Sequence, residues 1–203
     1  MLLETDWKKL FLKEIQLPEY VQNYSLKFLS RHEQTLDLTW SQSFIVFVEL
    51  FHKNRLDDAL QVYHQFLKRY PPHGWLMMLV GHIYCYHLAD YFRAREFYRI
   101  AEKEIPQFPK VQMDLGLIQM VLGNWKGALQ HYQNVESCAA NDSVNETVIR
   151  AQALFNQAII FSSYCNNGNR AIELLQSALD IRPDYALAQE MLQKLQQQFS
   201  VGD

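Results

Sequence analysis

Four alanines recur along this chain at a nearly fixed interval, and no other feature restricts its fold so sharply. Ala59, Ala94, Ala128 and Ala171 stand 35, 34 and 43 residues apart. Four residues after each comes Tyr63, Tyr98, Tyr132 or Leu175, and seven after comes Phe66, Ala101, Val135 or Ala178, so each set lies along one face of a helix. Twelve after come Pro71, Pro106, Ala140 and Pro183, and a proline there closes the helix by removing a backbone donor. Twelve or thirteen residues upstream are Gly81, Gly116 and Ala158, inside apolar helical patterns where glycine costs about 1 kcal/mol relative to alanine. A small residue in such a place has a packing reason. Two antiparallel helices approach closely only where one side chain is nearly absent and the facing one is small. A period of this size signals stacked repeats, each of which buries its apolar face only against its neighbours.

Composition agrees. With 203 residues, 49% hydrophobic and 13% aromatic, the chain has ample material for a core. Seven Gly and six Pro are too few turn-formers for a many-stranded sandwich or barrel, so helices are favoured. The net charge of -3 lacks the basic excess that phosphate-backbone binding requires, so nucleic acid is excluded as the expected partner. Three cysteines, Cys85, Cys138 and Cys165, suit neither a disulfide framework nor a four-thiolate zinc site, and point to a reducing, cytoplasmic setting. No window reaches eighteen uncharged apolar residues, so no transmembrane segment is expected.

The Gly/Ala, Ala, Tyr and Pro positions over residues 40 to 199, with the turn Gly123-Asn124-Trp125, resemble the tetratricopeptide repeat. The resemblance implies an all-α superhelical solenoid of stacked antiparallel helix pairs: four pairs over 40–183, a C-terminal solvating helix over 184–203, and leading helices over 1–39. The leading segment is read either as a degenerate repeat or as a cover for the groove. Two departures matter. In the first repeat Val46 or Phe47 takes the small-residue place, predicting a looser or rotated crossing. Between the third and fourth repeats, nine residues beyond 34 fall around Cys138–Thr147, predicting a longer loop with extra helix at either end. At the C-terminal end Asp184 is expected to cap a helix that turns Ala188, Met191, Leu192, Leu195 and Phe199 inward.

The resemblance further implies that the first helices of the pairs form a concave surface taking an extended or helical peptide. By register that surface comprises Trp75, Met78, His82, Cys85 and Tyr86; then Lys110, Met113, Leu117, Met120 and Val121; then Gln152, Phe155, Ile159, Ser162 and Ser163. The expected binding residues are Trp75, Met78, His82, Tyr86, Met113, Leu117, Met120, Phe155 and Ile159. Three methionines among them suit varied hydrophobic partners, because the side chain is flexible and polarisable. Relatives that hold an acidic C-terminus use a Lys, Arg and Asn cluster here, of which only Lys110 and Asn156 are present.

Catalytic and cofactor signatures are missing: the sequence has no dinucleotide-binding glycine motif, phosphate loop, nucleophile elbow or His-Glu-x-x-His. His82, Cys85 and His87 are the nearest to a metal set, but on an ideal α-helix His87 lies about 140° round from His82. No enzyme activity, cofactor or metal is expected. The lysines Lys8, Lys9 and Lys13 beside Trp7 and Phe11 read as a solvated face rather than a membrane contact. The leading reading is an adaptor that binds a hydrophobic or amphipathic segment of another protein. Alternatives are a structural subunit resembling the repeat-bearing subunit of the TRAPP vesicle-tethering complex, a secretion chaperone of the type III kind, and a homodimer formed through the N-terminal helices.

Overall fold

The computed structural model describes residues 40–138 and 144–200. The leading segment 1–39 and Ala140 lie outside them. Nine α-helices are seen among the described residues, and no strand. They are α1 (Trp40–His52), α2 (Leu56–Leu67), α3 (Gly74–His82, continued by a π-helical turn, Ile83–His87), α4 (Tyr91–Glu104), α5 (Pro109–Val121), α6 (Trp125–Ser137), α7 (Val144–Ser163), α8 (Gly168–Ile181) and α9 (Ala186–Ser200). The chain divides into two compact units at the Leu76–Met77 junction, within α3.

In the first unit α1 packs on α2. Ala59, Val62, Tyr63 and Phe66 form the buried face of α2, and Val46 and Phe47 are both buried on α1.

In the second unit neighbouring helices pack in chain order from α4 to α9, and α5 also reaches α7. The repeated alanines Ala94, Ala128 and Ala171 are fully buried, as are Tyr98, Tyr132 and Leu175 four residues on. A Cβ placed on Gly81 would lie 3.3 Å from the Tyr98 ring, and one on Gly116 would lie 2.4 Å from the Tyr132 ring. Each glycine is therefore the space that the next helix's tyrosine fills. Polar bridges fix the same stack. Gln112 on α5 donates to Glu102 on α4 (3.0 Å) and accepts from Asn134 on α6 (3.3 Å), with His131 Nδ1 2.9 Å away. Gln157 on α7 donates to Glu136 on α6 (2.8 Å). Burial lowers the His131 pKa.

A second periodicity accompanies the alanines. Four residues before each stands Arg55, Asp90, Asn124 or Asn167, and the last three cap their helices by accepting the N–H of Arg93, Gly127 and Arg170. Such caps satisfy donors that the first helical turn leaves free. Arg55 makes no side-chain cap. The residue before each of the four has a left-handed backbone: Asn54 (φ 57°), Ala89 (52°), Gly123 (78°) and Asn166 (48°). The turn closes when the capping residue donates its own N–H to the preceding helix. That bond spans five residues for Arg55 and Asn124, ending on Leu50 and Gln119, but six for Asp90 and Asn167, ending on Tyr84 and Phe161.

The one-residue difference explains why the small residue lies twelve before its alanine in one repeat and thirteen in two others. The extra residue is taken up as a π-type bond, Leu88 N–H to Ile83 O (3.1 Å) in one turn and Cys165 N–H to Ile160 O (3.2 Å) in the other. It also assigns the first repeat's small-residue place to Phe47, eight before Arg55 as Gly116 is before Asn124.

Two expectations are modified. The residues added between the third and fourth repeats lengthen α7 to 20 residues, against 13 in α5. Asp184 does not cap α9; it pairs with Arg182 (3.2 Å), and the helix begins at Ala186. Ala188, Met191, Leu192 and Leu195 do turn inward, onto a core of Leu154, Ala158, Leu174, Leu175 and Ala178.

Candidate partner-binding face

The site residues expected from the sequence separate into two groups by exposure. Trp75 (5% exposed) and Met78 (6%) are buried, within a run, Gly74–Val80, that is buried at every position. A helix that is apolar all round belongs in an interior, so these two residues act as core and not as an open surface.

The remaining positions lie in the second unit. Met113, Leu117 and Met120 are half-buried on α5, spaced i, i+4 and i+7, and Lys110 precedes them on the same stripe. Phe155 and Ile159 are half-buried on α7 at i, i+4. The two helices meet where the Asn156 amide of α7 reaches the Met113 sulfur, at 4.0 Å. Met113 and Met120 pack on the core of Ala128, Tyr132, Val135, Ala153 and Ile160, and Phe155 packs on the core behind α8, its ring 5.2 Å from Tyr185. Leu117 and Ile159 are half-buried on the same stripes.

One end of the α5 stripe is polar, and this part was not foreseen. Asp114, only 1% exposed, gathers three side chains from three elements. Tyr86, in the π turn, donates its hydroxyl to Asp114 Oδ1 (2.8 Å). The Lys110 ammonium donates to the same oxygen (2.5 Å) and lies 3.4 Å from the Tyr86 hydroxyl and 5.2 Å from the Tyr86 ring centre. From α4, the buried Tyr98 hydroxyl senses the same carboxylate. Burial first, and Asp114's charge second, push both tyrosines well above the ordinary phenol range. Burial likewise raises Cys85 to about 11, helped by Asp114 and opposed by Lys110, which keeps that thiol protonated and unreactive near neutral pH. Tyr86 itself stays 46% exposed while its hydroxyl is held by Asp114.

The π turn also rearranges the histidines. On an ideal α-helix His82 and His87 would diverge, yet their rings are 6.0 Å apart, and the His82 ring lies 4.4 Å from Tyr86. A π turn has more residues per turn, so i and i+5 come round to one side. Cys85 is buried meanwhile, and among the described residues no group of three or more His, Cys, Asp or Glu converges to hold a metal ion. No described helix is long and apolar enough to cross a membrane.

With helix pairs, small-residue crossings and capped turns in place, the class of molecule is defined: an all-α helical-repeat protein. Residues 49–73 match the sequence profile of the tetratricopeptide repeat. No curated protein matches the chain. Solved structures do match in fold. YrrB, described as a tetratricopeptide-repeat protein with an unusual peptide-binding site, superposes with a TM-score of 0.67 at 18% identity, over 85% of this chain and 83% of that one. MamA gives 0.64 at 17% identity, over 76% of this chain and 85% of that one. A tetratricopeptide-repeat protein from Parabacteroides merdae gives 0.63 at 15%, over 94% of this chain and 72% of that one. Residues 49–73 thus match one tetratricopeptide repeat, and the fold is similar to that of solved tetratricopeptide-repeat proteins.

Proposed function

We propose that this protein is a non-enzymatic, cytoplasmic adaptor that holds an apolar or amphipathic segment of another protein on the adjoining faces of α5 and α7. The observation that carries this reading is the pair of half-buried apolar stripes, Met113–Leu117–Met120 and Phe155–Ile159, on two first helices that touch. Leu117 and Ile159, half-buried on these stripes, are its natural anchors, where a bound side chain would cover what remains exposed. The buried positions Trp75 and Met78 drop out of the binding set. That the similar structure YrrB is described as having a peptide-binding site agrees with a peptide ligand here.

The test is a random-peptide display library panned against the full chain. Wild type should recover sequences with apolar residues at helical or alternate spacing. The variant Leu117→Asp/Ile159→Asp should keep its circular dichroism spectrum and melting temperature within a few degrees and lose that recovery. Equal recovery by the variant would remove α5 and α7 from the account. Substituting Met113 and Met120 is a poorer test, because both also support the core.

A further inference from the structure

We infer that Asp114 is a specificity-determining residue, a built-in counter-anion that neutralises Lys110 and makes this face reject acidic segments. The inference rests on the binding reading above and specifies the partner's chemistry. Lys110 is the only cation on the α5 stripe, at the end of the run Met113, Leu117, Met120. Left alone, a half-exposed ammonium beside an apolar stripe would select a carboxylate. It is not alone. Its charge is matched by a carboxylate 1% exposed and 2.5 Å away, and attraction between groups withdrawn from water is much stronger than between exposed ones. The pair is held rigidly, because Tyr86 and Lys110 both donate to Asp114 Oδ1.

What remains outward is a dipolar cluster with no net charge. Of the three N–H donors of Lys110, two point to Asp114 and Tyr86, leaving one for an incoming group, and the Tyr86 hydroxyl oxygen keeps acceptor capacity. A neutral carbonyl, such as a main-chain amide or an Asn, Gln, Ser or Thr side chain, satisfies that remainder. A carboxylate meets Asp114's negative field as soon as it nears Lys110, and gives up its hydration for little gain. The segment chosen is therefore apolar, uncharged at the Tyr86 end, and carries a neutral hydrogen-bonding group there.

The experiment pans the display library against wild type, Asp114→Asn and Asp114→Asn/Lys110→Met. The asparagine keeps the shape and an acceptor for Tyr86 while leaving the Lys110 charge uncompensated. Wild type should recover peptides depleted in Asp and Glu; Asp114→Asn should raise recovery of acidic peptides about five- to tenfold, the size of one newly exposed, partly buried charge contact; the double variant should return to the wild-type pattern. Should Asp114→Asn not fold, judged by its thermal melt, Asp114→Ser removes the charge without bulk and answers the same question. Acid-rich recovery by wild type, or identical recovered sets for wild type and the Asp114 variants, would overturn the inference. If those sets are identical and yet vanish in Leu117→Asp/Ile159→Asp, only this inference fails. If nothing is recovered by any variant, the binding reading falls with it.

Discussion

Gly81 and Gly116 hold equivalent places in successive helix pairs, and each faces a buried tyrosine, but the room they leave differs. A Cβ on Gly81 would meet Tyr98 at 3.3 Å, a tight contact; one on Gly116 would run into Tyr132 at 2.4 Å, inside the ring's own volume. The last pair offers a third solution. There the small residue is Ala158 and the facing residue is Leu175 instead of tyrosine, both fully buried. The added methyl and the lost ring go together. In these three pairs a tyrosine on one helix goes with a glycine on the other and a leucine with an alanine, whereas the first pair holds Phe47 and Tyr63, both buried, at the corresponding places and so departs from the trade of volume.

That comparison can be broken most decisively at the third pair. Gly116→Ala should destabilise by about 2 kcal/mol, because displacing a fully buried ring outweighs the better helix propensity of alanine. In a thermal melt this is a fall of about 4–8 °C. Adding Tyr132→Leu, which imitates the last pair, should make the double variant more stable than Gly116→Ala alone; simple additivity of the two losses would refute the volume argument.

Next in size are the helix caps. Asn124→Ala or Asn167→Ala should each cost about 1 kcal/mol, whereas Arg55→Ala, at the one equivalent place without a side-chain cap, should cost well under half of that. Equal losses, measured by denaturant titration, would mean the caps do not set the turns. Ala89→Gly should stabilise by about 0.5–1 kcal/mol, since Ala89 holds φ at +52° where glycine carries no Cβ penalty. The smallest effect is expected at Gly81→Ala. The gain in helix propensity and a few tenths of an ångström of ring movement should nearly cancel, leaving the melting temperature within about 2 °C of wild type. A loss there as large as at Gly116 would erase the distinction on which the comparison rests.

Much of this was legible in the sequence, and what was not has physical causes. The alanine register with its glycines and prolines was readable because close helix crossing restricts residue type at fixed offsets. The capping Asp90, Asn124 and Asn167 stand at an equally fixed offset, four before each alanine, and could have been found by extending the same alignment. The π turn showed only as a spacing of thirteen instead of twelve, since one inserted residue leaves the apolar pattern on either side unchanged. Asp114 was hidden for a different reason. Its i, i+4 partner Lys110 was visible, but Tyr86 lies 28 residues away and arrives through that inserted turn. Trp75 and Met78 illustrate the commonest ambiguity: large apolar residues at helical spacing look alike whether they line a groove or fill a core, and only burial separates them.

The binding face is tested most directly by methyl NMR of the full chain carrying labelled methionine ε-methyls, titrated with a peptide recovered by wild type. Met113 and Met120, on the α5 stripe, should shift with the peptide, while the buried Met77 and Met78 should stay in place. Shifts confined to Met77 and Met78, with Met113 and Met120 unmoved by a peptide that demonstrably binds, would contradict the assignment.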